Sequence, residues 1–178
     1  MATNKFMDLY EEINRYSFMD LSAETRLHKI KDFFSVYTEM LLYPPIKGHI
    51  EFVEKTRPPM ESVIVSEVVK FIRNILAHFP FFTTWDDIYF SKQLINWASD
   101  GKSIDRFLNR YQGHEDVQYR FKEKESGKWR YATIRFPEEY NDDKFFLKDM
   151  IDEKDGIVLC AVLMFGVVSS QIMINTYE

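Results

Sequence analysis

The chain has 178 residues, 46% hydrophobic and 29% charged, with 23 Lys+Arg against 28 Asp+Glu. This is enough for one self-supporting domain over 1–178 and too apolar, with too few Gly and Pro, for a disordered linker. The single cysteine, Cys160, excludes a disulfide framework and a Cys-rich metal site, and the net charge of −5 argues against a surface that binds nucleic acid all over.

The first segment mixes charges with apolar residues at helical spacing (Phe6, Leu9, Tyr10, Ile13, Tyr16) and therefore reads as a helix, not a signal peptide. Ser22 is placed to cap a longer helix carrying Leu27, Ile30, Phe34, Tyr37, Met40 and Leu41, which stops before Pro44-Pro45. Four prolines between Pro44 and Pro59 mark a connection. A third helix is expected from about Glu61 to just before Pro80, with Val63, Ile64, Val68, Ile72, Ile75 and Leu76 as its apolar set. Thr84-Trp-Asp-Asp87 has capping-box spacing and predicts a helix through Leu94 and Ile95. Ser103 is expected to start a short helix with Ile104, Phe107, Leu108 and Tyr111, closed near Gly113.

The period then changes from helical to alternating. Val117, Tyr119 and Phe121 face one way and Gln118, Arg120, Lys122 and Lys124 the other. The turn ESGK and the run WRYATIRF complete a β-hairpin over about 117–136. After a polar loop at 141–143 and a short segment, KFFLKDMI, comes an uncharged apolar stretch at about 156–176. It is long enough to cross a bilayer, but neither end carries a positive cluster or a Trp anchor. A buried core or dimer-interface helix is therefore expected, with a C-terminal membrane anchor as the alternative. The fold class is mainly α: an antiparallel helical bundle with an inserted hairpin. With one cysteine and a first segment that does not read as a signal peptide, a reducing, cytoplasmic location is expected.

Arg73, Asn74 and His78 stand in an otherwise apolar helix, where each needs a partner if buried. Asn74 and His78, four residues apart, share a helix face, and Arg73 is one step round. A plain structural reading pairs Arg73 with a carboxylate and lets His78 sit favourably at a helix C-terminus.

The run Arg73-Asn74-Ile-Leu-Ala-His78 also resembles the signature of the HEPN superfamily, in which Arg and a polar residue precede His by a fixed spacing within an all-α bundle. The resemblance covers the motif and the helical organisation, not the hairpin. It implies a metal-independent endoribonuclease without cofactor, often a toxin or an anti-phage defence protein, working as a homodimer in which two motifs share one cleft. An imidazole titrates near neutrality, so His78 is the expected base toward the RNA 2′-OH or acid toward the leaving 5′-oxygen. Arg73 would clamp the phosphate and Asn74 would orient His78 or donate to the phosphate. A non-catalytic helical interaction protein, such as a dimerisation, antitoxin or defence partner of the same fold, is the alternative.

The hairpin adds a second expectation. Between Val117 and Phe136 stand six basic residues and two acidic ones. Arg120, Lys122, Lys124, Lys128 and Arg130, with Tyr119, Phe121, Trp129 and Tyr131 nearby, suit RNA binding. Equally, the cations could keep an edge strand soluble while the aromatics pack inward. His28, His49 and His114 are too scattered for a metal site, and no nucleotide-binding glycine loop occurs.

Overall fold

The computed structural model describes residues 2–42, 44, 48, 61–97 and 101–174, with only the backbone at 61, 62, 97 and 170–174. The expected proline-rich connection lies almost wholly outside the described residues. The α-helices, in chain order, are α1 (Ala2–Ile13), α2 (Ala23–Leu41), α3 (Glu61–His78), α4 (Lys92–Trp97), α5 (Lys102–Tyr111), α6 (Leu147–Met150) and α7 (Glu153–Ile174). Single 3₁₀ turns occupy Tyr16–Asp20 and Trp85–Asp87. Among the described residues four short strands, β1 (Tyr89–Phe90), β2 (Val117–Lys122), β3 (Trp129–Ile134) and β4 (Phe145–Phe146), form two antiparallel pairs, β1 with β4 and β2 with β3. The fold is mainly α with a β-hairpin, as the periodicity predicts.

Helix starts follow local chemistry where nothing competes. Ser22 Oγ accepts from the Thr25 N–H at 3.2 Å and opens α2. The apolar stripe of α1 is buried from Phe6 to Ile13, but Tyr16 falls outside it. It lies in the following 3₁₀ turn with its ring 47% exposed and its hydroxyl donated to Glu123 at 2.9 Å.

Thr84 behaves differently from the expectation. Its side chain accepts from the Asp87 N–H, but the turn it caps ends at once. Ile88 is extended, and Tyr89 and Phe90 pair with Phe146 and Phe145. The next helix starts at Lys92, where Ser91 Oγ accepts from the Leu94 N–H. The segment KFFLKDMI accordingly supplies a strand and then a helical turn. Ser103 also differs: it lies inside α5, for which Gly101 is the N-cap.

Two aromatic groups organise the interior. Phe6 stacks on Phe33 at 4.9 Å between α1 and α2. Phe71 of α3 stacks on Phe107 of α5 at 4.3 Å and meets Phe90 edge-on at 5.3 Å. Both rings of that stack are buried, so α3 and α5 are held face to face. The first turns of α7 complete the core: Ile157, Leu159, Cys160, Ala161 and Met164 are all buried, and Phe165 stacks on Tyr10 of α1 at 4.4 Å. Among the described residues no helix is long and apolar enough to cross a membrane.

Three ion pairs tie the last helix to α2 and to the hairpin, and the hairpin strand to its own turn. Arg26 of α2 grips Glu153 of α7 bidentately, at 2.7 and 2.8 Å, and donates to the Leu21 carbonyl. Arg130 of β3 joins Glu123 (2.9 Å) to Asp155 of α7 (2.7 Å), so the hairpin is keyed to the long helix.

Candidate functional site at the end of helix α3

Helix α3 buries Val65, Val68, Phe71, Ile72, Ile75 and Leu76 on one side. The remaining stripe, Glu67, Lys70, Arg73, Asn74, Ala77 and His78, is half-buried or exposed. The helix stops at His78 because Pro80 cannot continue it. Phe79 still donates its N–H to the Ile75 carbonyl at 2.9 Å, and Lys31 donates to the Pro80 and Phe82 carbonyls. The chain is thus pinned just past the motif.

Asn74 has both ends of its amide engaged. Its Oδ1 accepts from Arg73 Nε and Nη2 at 3.4 and 3.3 Å, and its Nδ2 donates to Ser103 Oγ at 2.9 Å. The two arginine bonds are long, so Asn74 holds the guanidinium loosely and leaves other donors of its fork available. Asn74 therefore connects Arg73 on α3 with Ser103 on α5.

These residues border a pocket of about 310 Å³ between α3 and α5, lined by Glu67, Lys70, Phe71, Arg73, Asn74, Ser103, Arg106, Phe107 and Arg110. Among the described lining residues, four carry a cationic side chain and one, Glu67, a carboxylate. Glu67 is already committed, accepting from Arg110 at 2.8 Å and from the Tyr111 hydroxyl. Burial and that bond push the Tyr111 hydroxyl up to about 12, so it stays a donor. Arg73 and Arg106 then leave the described lining with a positive excess, although the whole chain is acidic. Arg73 also lines a second pocket of about 330 Å³ on its other side, with Lys31, Asp32, Ser35 and Thr38 of α2.

Of the three motif residues, one chain brings Arg73 and Asn74 together and leaves His78 apart. His78 is the last residue of α3, exposed, and not among the residues lining either pocket. Helical geometry gives the reason: residues five apart differ by about 140° in direction and ~7.5 Å along the axis. Arg73 and His78 of one copy therefore face different ways, with Asn74 between them.

The hairpin cations divide by environment. Arg130 is taken by Glu123 and Asp155, and Lys124 by Glu11 of α1. Arg120, Lys122 and Lys128 are exposed, and Arg120 lies 4.6 Å from the centre of the Trp129 ring. Phe121 is buried and Tyr119 half-buried on the inner face, whereas Trp129 and Tyr131 stand outside. Sequence reasoning overlooked Lys70, Ser103 and Arg106 as neighbours of the motif. The spacing of Arg106 and Arg110, one helical turn apart, was the available signal. Among the described residues no three His, Cys, Asp or Glu side chains group as metal ligands would.

No family model, curated protein or solved structure matches this chain.

Proposed function

We propose that the chain is a metal-independent endoribonuclease of HEPN type whose active site is completed by a second copy. The observation that carries this reading is the cationic pocket built around Arg73 and Asn74, with the histidine of the motif exposed one turn further along the same helix. An RNA phosphodiester has a negative charge for Arg73 and Arg106 to attract. Its 2′-OH provides an internal nucleophile, so no metal-bound water is needed. In the reaction, the 2′-oxygen bonds to phosphorus as its proton passes to a base. The bond to the 5′-oxygen breaks as that oxygen receives a proton, leaving a 2′,3′-cyclic phosphate. His78 serves as one proton-transfer group and His78 of the partner subunit as the other. Arg73 stabilises charge growing on the non-bridging oxygens. Asn74, fixed to Ser103, gives the guanidinium a loose hydrogen-bonding partner.

A second reading, a non-catalytic interaction protein, draws support from the Asn74–Ser103 bond. That bond fastens α3 to α5 and would explain Asn74 without chemistry. One experiment separates the two. Purified protein is incubated with mixed single-stranded RNA in EDTA beside His78→Ala and Arg73→Ala, the product ends are analysed, and melting curves are recorded. The nuclease reading expects cleavage with cyclic phosphate ends, lost in His78→Ala and reduced about 10²-fold or more in Arg73→Ala, with melting temperatures unchanged. No cleavage, together with lowered melting temperatures in the variants, would favour the structural role.

A further inference from the structure

The outward face of the β2–β3 hairpin has a composition that packing does not explain. The register sets Arg120 opposite Tyr131 and Lys122 opposite Trp129, with Gln118 and Thr133 at the end of the same face. Trp129 and Tyr131 are 59% and 55% exposed. Their exposure is not a consequence of a poorly seated hairpin, because the inner face anchors it through Phe121, Ala132 and Ile134, all buried.

Electrostatics on this face are one-sided. Of the hairpin's acidic residues, Glu123 is turned inward to Ser126, Arg130 and Tyr16, and Glu125 accepts the Tyr16 backbone N–H. The outward positions therefore carry two rings and two cations and no carboxylate. Trp129 and Tyr131 are two residues apart on one strand, so their Cβ atoms are about 7 Å apart, close to the spacing of successive bases in an extended single strand. Arg120 already stacks on Trp129, which holds that ring in place.

We propose that this face is a stacking platform for single-stranded nucleic acid: Trp129 and Tyr131 each receive a base, and Arg120 and Lys122 meet the flanking phosphates. A face built from ring surfaces and point cations reads neither base edges nor the 2′-OH, so single-stranded RNA and DNA bind alike. A duplex, whose base faces are hidden, binds less well. The platform does not depend on cleavage at α3 and would stand if the chain were not a nuclease. Because β2 packs against α3, a strand held there lies beside the helix that carries the motif.

The test uses the full chain with short fluorescein-labelled oligo(dT), oligo(U) and a duplex, read by anisotropy. Oligo(dT) cannot undergo 2′-OH cleavage, so failure of the nuclease reading leaves this measurement intact. Expected are similar affinities for the two single strands, falling with added salt, and weaker binding of the duplex. Trp129→Ala with Tyr131→Ala should weaken single-strand binding about tenfold or more, and Trp129→Phe with Tyr131→Phe should retain most of it. Quenching of tryptophan fluorescence by oligo(dT), lost in Trp129→Phe, reads the same contact without truncating a side chain. Equal affinity in the folded double alanine variant would overturn the proposal. So would failure of the wild-type chain to bind either single strand, an outcome that would assign the rings to a protein partner.

Discussion

Beneath the hairpin turn, Glu123 accepts hydrogen bonds from Ser126, Arg130 and Tyr16, and these hold its carboxyl down to about 2 from an ordinary 4.5. The largest share comes from Ser126. A carboxyl depressed in the folded state contributes stability that is complete above its unfolded value and fades as pH falls from about 4.5 toward 2. Glu123→Gln removes the charge and leaves Arg130 with Asp155 alone. It should lower stability near neutral pH by about 2–3 kcal/mol and flatten the loss of stability across that acid window. Urea unfolding at a series of pH values would show both effects, and a variant curve parallel to wild type would contradict them. The same network explains why the hairpin cations could not be sorted from sequence. Arg120, Lys122, Lys124 and Arg130 look equivalent along the chain. The partners that occupy two of them, Glu11 and Asp155, are brought close only by folding.

For whole elements, what was legible depended on whether distant chain competed. Ser22 and Thr84 carry similar cap chemistry. Ser22 opens a 19-residue helix because an unbroken apolar stripe follows it. Thr84 opens a single turn because Tyr89 and Phe90 find partners in Phe145 and Phe146, more than fifty residues away, and no local signal announces that pairing. The hairpin was readable because its alternation is strict and Gly127, at φ +66°, marks its turn. The uncharged run of α7 from Gly156 packs inside as far as it is described, its remainder beyond residue 169 lying outside the described side chains, and it makes a direct prediction. Complete burial pushes the Cys160 thiol up to about 12, so neither access nor ionisation favours reaction. Cys160 should therefore stay unlabelled by a thiol reagent at neutral pH and react fully in denaturant. Rapid labelling of the folded chain would mean that α7 does not pack as described.

In the molecule as a whole, the motif was legible as three residues on one helix, but its geometry was not. Sequence spacing allowed Arg73, Asn74 and His78 to converge. The folded chain joins the first two through Asn74 and Ser103 and leaves His78 at the exposed end of α3. Five residues along a helix turn His78 away from Arg73, and no side-chain rotation about an intact α3 reverses that. On the proposed nuclease reading, the site needs an anion clamp and two proton-transfer groups and would be completed by a second copy. Such a site has a property that two independent sites lack: an inactive copy poisons an active one. The decisive measurement is RNA cleavage in EDTA by a fixed amount of wild-type chain as His78→Ala chain is added and the subunits are allowed to exchange. The composite site predicts that activity falls in step with the wild-type fraction. Activity that stays constant as the variant is added would contradict it.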